Sequence, residues 1–117
     1  MGLTFVEGTV TGPGGQQDVV KFLVDSGASY TLLPEAVWKK LGLARKRAAE
    51  FTLADGSTLT RDISECQITL EEQEVHTPVI LGEEGDEALL GVVTLKILGL
   101  VLDPFKRTLR SATLRLA

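Results

Sequence analysis

A mainly β domain with one or two short helices is the fold class this sequence predicts, and three observations carry it. Short segments rich in Thr, Val, Ile and Leu recur along the chain, several of them alternating apolar with polar residues. Gly, Pro and Asp-Gly turn formers stand between them. One stretch, Pro34–Gly42, carries full helix punctuation: Pro at the start, Glu35 early, Lys39 and Lys40 late, Gly after the end.

The elements follow in order. Thr4–Thr11 and Val19–Val24 read as a hairpin broken by Gly12-Pro13-Gly14-Gly15, the second strand more continuously apolar and so more buried. Asp25-Ser26-Gly27 is a turn, and Tyr30–Leu33 a short strand. The helix over Pro34–Gly42 offers Val37, Trp38 and Leu41 for packing. Phe51–Ala54 and Ser57–Thr60 flank Asp55-Gly56, a dipeptide whose two positions both suit positive φ in a tight hairpin. Cys66–Leu70 and Val75–Leu81 pair around Glu71–Glu74, and Gly82–Glu87 is an acidic, solvated loop. After Leu89-Leu90-Gly91, Val92–Leu98 suits a two-turn helix ended by Gly99. Leu100–Asp103 is a strand closed by a turn, and Leu109–Leu116 a terminal strand.

Composition narrows the function classes. The 117 residues, 44% hydrophobic and 24% charged, suit a single soluble globular domain spanning residues 1–117. No apolar run is long enough to span a bilayer, so no membrane partner is expected. Met1–Glu7 has neither the basic start nor the apolar stretch of a signal peptide. The net charge of −4 argues against a nucleic-acid partner, and the Arg45-Lys46-Arg47 cluster reads as a solvated loop. One cysteine, Cys66, and one histidine, His76, leave no intrachain disulfide and no Cys/His metal site. A cytoplasmic home with neither metal nor other cofactor is the expectation.

Asp25 is the residue that points to chemistry. Apolar runs flank its turn on both sides, Val19–Val24 before and Tyr30–Leu33 after. A carboxylate buried there is costly, and costly acids are kept for a purpose. Ser26 can donate a hydrogen bond, and Gly27 lets a backbone approach closely. Each feature alone also has a plain reading: Asp-Ser-Gly as a β-turn, Leu-Leu-Gly as core and turn, Asp-Gly as a surface hairpin.

In this order and spacing the three features resemble the retropepsin family, the retroviral-type aspartic proteases. The resemblance covers nearly the whole chain. It rests on Leu23-Val24-Asp25-Ser26-Gly27-Ala28-Ser29, on the hairpin Phe51–Asp62 in the place of the family's flap, and on Leu89-Leu90-Gly91 before a helix. The tail Leu98–Pro104 is similar to that of the stand-alone prokaryotic members. The family implies a closed β barrel, the acid protease fold, in a single-lobe protomer that dimerises. It also implies peptide or protein substrates.

Proteolysis of this type needs two neighbouring carboxylates that share one proton. The chain holds one Asp-Ser/Thr-Gly: Asp62 and Asp103 lack the following residues, and Asp55-Gly56 lacks the hydroxyl between. The second carboxylate is then Asp25 of another copy, met across a twofold axis in an obligate homodimer. The resemblance implies that Ser26 braces the two turns, that Gly27 admits the peptide and that Ala28 supports the site. Ala54, Asp55, Gly56 and Ser57 would close over the substrate. Ser29, Tyr30, Leu89, Leu90 and Gly91 would line its pockets and favour apolar side chains at the cut. Leu3, Phe5, Leu114 and Leu116 are candidates for an interface sheet of terminal strands. The chain departs from the viral pattern in three places. Its flap is poorer in glycine and more polar, Ser replaces the commoner Thr after Asp25, and its tail differs. A non-enzymatic dimeric β module that binds peptide or mediates assembly is the rival reading, and it has no need of Asp25.

Overall fold

The computed structural model describes residues 3–112. Nine strands and two helices follow in the order β1 (Phe5–Thr11), β2 (Gln17–Val24), β3 (Thr31–Leu33), α1 (Glu35–Lys40), β4 (Arg47–Thr52), β5 (Thr58–Leu70), β6 (Gln73–Leu81), β7 (Leu89–Leu90), α2 (Val92–Leu98), β8 (Leu100–Asp103) and β9 (Thr108–Ser111). Seven strands form one sheet, in the order β1-β2-β7-β3-β6-β5-β4. β1 also pairs with β5, through Thr9–Thr11 against Thr69–Gln67, so the ladder returns to its first strand. β8 and β9 form a separate two-stranded hairpin.

The strands alternate where one face meets the core. In β2, Val20, Phe22 and Val24 point inward while Val19 and Lys21 are exposed. β2, expected to be the more buried strand of the hairpin, thus alternates, with Leu23 half-buried where the strand runs between β1 and β7. One cluster gathers Val10, Phe22, Leu33, Leu41, Ile68, Val79, Leu90, Leu95 and Leu98. Burying a side chain of this size contributes about 1.5–3 kcal/mol. Leu41 is buried as expected, and Val37 and Trp38 pack against the cluster half-buried. The Trp38 indole N–H donates to the Gly82 carbonyl (2.8 Å), satisfying its polar edge.

Several boundaries differ from the sequence reading. Thr58–Thr60 and Cys66–Leu70 belong to one 13-residue strand, β5, with Ser57 left in the turn before it. At Ile63 it ends its ladder with β4 and begins that with β6. Ile63 and Ser64 are both buried there, which breaks the alternation that would have marked a single strand. Ser64 satisfies its hydroxyl on the Ala44 carbonyl (2.6 Å). Arg47 opens β4 instead of lying in a loop, while Arg45 pairs with Asp62 (3.5 Å). The expected terminal strand appears as β9, and its continuation through Leu114 and Leu116 lies outside the described residues.

The two hairpin turns also exchange character. Glu71 and Glu72 join β5 to β6 with φ of 52° and 63°, the backbone of a two-residue primed turn. At Asp55-Gly56 only Gly56 has positive φ (87°). Gly56 N–H donates to the Leu53 carbonyl (2.9 Å) and Leu53 N–H to that of Ser57 (2.8 Å), giving a longer loop closed by a left-handed glycine.

Candidate active site

Asp25 follows the last residue of β2, where that strand lies between the start of β1 and β7. Val24 N–H donates to the Thr4 carbonyl (2.8 Å) and Asp25 N–H to that of Leu90 (3.1 Å). The chain then turns tightly. Ala28 N–H donates to the Asp25 carbonyl (3.1 Å), and Gly27 N–H to Asp25 Oδ1 (2.9 Å). A Cβ on residue 27 would stand 3.2 Å from that oxygen, a tight contact that a small shift of the carboxylate would have to relieve. Asp25 is half-buried, with Ser26 and Gly27 exposed, where a buried carboxylate was expected. The apolar runs on either side bury their own side chains and bring the acid to a surface. Among the described residues Oδ2 has no hydrogen-bond partner and no ion pair includes Asp25.

Leu89-Leu90-Gly91 is brought against this turn. Leu89 and Leu90 pair in parallel with Leu23 and Val24. Val92 and Val93, the first residues of α2, donate their N–H groups to the carbonyls of Ala28 (2.8 Å) and Ser29 (2.9 Å). Gly91 is buried where the two segments meet. A Cβ there would fall 2.4 Å from the Tyr30 carbonyl carbon and 2.6 Å from its oxygen. Only glycine allows that approach.

The hairpin of β4 and β5 is joined to this region through Tyr30. The Tyr30 and Phe51 rings meet edge to face, with centroids 5.9 Å apart, and Arg47 Nη2 donates to the Tyr30 hydroxyl (3.3 Å). Ala54, Asp55, Gly56 and Ser57 are all exposed, and among the described residues their hydrogen bonds stay within the tip. Asp55 Oδ1 accepts the Ser57 hydroxyl (2.5 Å) and the Ser57 N–H (2.9 Å). These bonds, the hydroxyl first, hold the Asp55 carboxyl below its ordinary 3.8. Asp55 is thus occupied with its own turn.

An apolar cavity of about 330 Å³ lies beside Ser26, lined by Val92, Leu95, Leu100, Val101 and Pro104 among others. A larger one, about 490 Å³, shares no residue with the Asp25 region and is lined in part by Cys66 and His76. Burial pushes the Cys66 thiol up to about 12, so it stays protonated near neutral pH and is no nucleophile.

The fold is that of the retroviral proteases. The chain superposes on EIAV protease complexed with the inhibitor HBY-793 at 17% identity and a TM-score of 0.64, covering 98% of this chain and 94% of that one. It also superposes on the simian foamy virus (mac) protease at 20% identity and 0.58, covering 81% and 94%. At such identities the likeness shows the fold, which is retropepsin-like. A family model described as gag-polyprotein putative aspartyl protease matches residues 13–97, and the chain belongs to that family. The matched span takes in Asp25, the β4–β5 hairpin and Gly91. No curated protein matches the chain.

Sequence reasoning missed one group of residues here. Thr31, Thr77 and Thr94, all buried, link their hydroxyls behind Gly91. A polar residue recurring inside apolar segments was the available signal.

Proposed function

We propose that the chain is an aspartic endopeptidase that works as a homodimer, with Asp25 of each copy forming the two-carboxylate site. One observation carries this reading. Asp25 is the chain's single Asp-Ser/Thr-Gly aspartate, fixed by backbone bonds on both sides of its turn, with one carboxylate oxygen that has no partner among the described residues. Family membership and the retroviral-protease fold support it.

A single carboxylate cannot be base and acid in the same step. Two held a few ångströms apart share one proton, because both cannot ionise at that distance. The ionised member takes a proton from water, which attacks the scissile carbonyl. The protonated member donates to the carbonyl oxygen, and the proton reaches the leaving amine as the tetrahedral species collapses. Ser26, exposed next to Asp25, would brace the paired turns. Gly27 and Ala28 leave room for a peptide backbone. Ser29, Tyr30 and Leu89, with Leu90 and Gly91 behind them, supply the pocket walls, and their partly apolar surface suits apolar side chains. The tip Ala54–Ser57 would cover the bound peptide and exclude water. Leu3 and Phe5, exposed on the segment that pairs with Val24, support a partner on that side.

The test is incubation of the purified chain with a proteome-derived peptide mixture across pH, beside Asp25→Asn. The reading expects cleavage with a bell-shaped, acid-side profile that the substitution abolishes. Cleavage unchanged by Asp25→Asn would refute it, and a chain that binds peptides without cutting them is the non-enzymatic module.

A further inference from the structure

We propose that Thr31, Thr94 and Thr77 form a buried hydroxyl chain that holds the Asp25 turn in place, so that Thr94 is a positioning residue for the site. The activity expected of it rests on the protease reading above.

The three hydroxyls belong to three elements: Thr31 to β3, Thr94 to α2 and Thr77 to β6. All three residues are almost fully buried, at 0%, 0% and 1% exposure. Gly91 N–H donates to Thr31 Oγ1 (3.0 Å). Thr31 Oγ1 lies 2.6 Å from Thr94 Oγ1, which lies 2.8 Å from Thr77 Oγ1. Thr77 Oγ1 reaches the Pro78 carbonyl (3.4 Å). Either oxygen can donate in each hydroxyl–hydroxyl bond; with Thr77 donating to the Pro78 carbonyl, Thr94 donates to Thr77 and Thr31 to Thr94. Each hydroxyl then donates once and accepts once, and no buried side-chain polar atom among the described residues lacks a partner.

Valine has the same shape and would fill these positions without the cost of burying a hydroxyl. A helical threonine ordinarily turns its hydroxyl back to the carbonyl one turn earlier. Thr94 instead reaches across to two strands. What the chain secures is the segment Leu90–Val93, and that segment holds the catalytic turn through the bonds to Asp25, Ala28 and Ser29 described above. Gly91 touches the Tyr30 backbone with no room for a side chain, so movement of one segment moves the other. A satisfied network of this kind strengthens along its length and specifies one arrangement.

Two variants test the inference. Thr94→Val keeps the shape and removes the hydroxyl; Thr94→Ser keeps the hydroxyl. Amide hydrogen exchange, which needs no substrate, is read at Asp25, Gly91, Val92 and Val93 against Val20 and Phe22 of the β1–β2 ladder. Thr94→Val is expected to lose about tenfold in protection at the first four amides relative to the ladder, the size of one buried hydrogen bond. Thr94→Ser is expected to restore it. In peptide cleavage Thr94→Val lowers kcat by about tenfold with KM unchanged, and the serine variant recovers it. Protection lost evenly over the molecule, no loss at all, or valine and serine variants that behave alike would overturn the proposal. A wild-type chain that cuts no peptide refutes the protease reading alone, and the exchange comparison still decides the threonine chain.

Discussion

Asp25 and Asp55 begin turns of the same local design. Each aspartate accepts, on one carboxylate oxygen, the amide two residues ahead at 2.9 Å. Each turn contains a serine and a glycine in its next two positions. Their surroundings differ. The Asp25 turn hangs from β1, β7 and α2 by backbone bonds, with Gly91 and the threonine chain behind it. The Asp55 tip is exposed and bonds to itself, and among the described residues β4 pairs with β5 alone. Asp55 spends an oxygen on the Ser57 hydroxyl, whereas Asp25 keeps Oδ2 free of any described partner. Local sequence makes the turn; tertiary attachment decides whether its carboxylate is held ready for another molecule or serves the turn alone.

The largest expected effect separates the two aspartates. Asp25→Asn lowers peptide cleavage by about a thousandfold or more, since general acid–base groups contribute about 10²–10⁴. Asp55→Asn stays within roughly tenfold of wild type, because its carboxylate is bonded to Ser57 within the tip. Equal losses in parallel assays would erase the distinction drawn between the two turns.

Glycine substitutions sharpen it next. Gly91→Ala forces a Cβ into backbone that cannot yield cheaply, and should cost about 3 kcal/mol or more in denaturant unfolding. Gly56→Ala meets open space and has only its φ of 87° to strain, so it should cost about 1 kcal/mol. The reverse order would show that the anchoring around Asp25 is soft.

The smallest effect is the pH response of the tip. The folded Asp55 pKa lies below its unfolded value, so the favoured form is the ionised one. Its contribution is complete above about pH 4 and disappears as pH falls through the depressed pKa. In an NMR titration, Asp55 should protonate below 3.8, and Ser57→Ala should move its midpoint up toward that value. A midpoint at or above 3.8 in the wild type would remove the hydroxyl bond from the account.

Much of this architecture was legible along the chain. Helix α2 announced itself through Gly91 and Gly99, the latter in the left-handed cap at φ 70°. The Asp-Ser-Gly turn and the Leu-Leu-Gly segment were visible as units, and their contact is what a chain-order reading cannot supply. Strand β5 was divided in two because Ile63 and Ser64 both face inward, which no period-two pattern marks. The primed turn falls at Glu71-Glu72, where no glycine or asparagine signals it. There the ladders on both sides force a backbone that glutamate alone would avoid. The burial of Asp25 was overestimated for a similar reason: flanking apolar residues report on their own side chains, and the residue just past a strand's end can emerge between them.

The central claim is that one cleavage site needs two copies of Asp25. Wild-type and Asp25→Asn chains refolded together in equal amounts put it to the most direct test, read as peptide cleavage per total chain. A shared site predicts about one quarter of the activity of the same total amount of wild type, since about one dimer in four then carries both carboxylates. About one half, the share expected when each chain works alone, would contradict it.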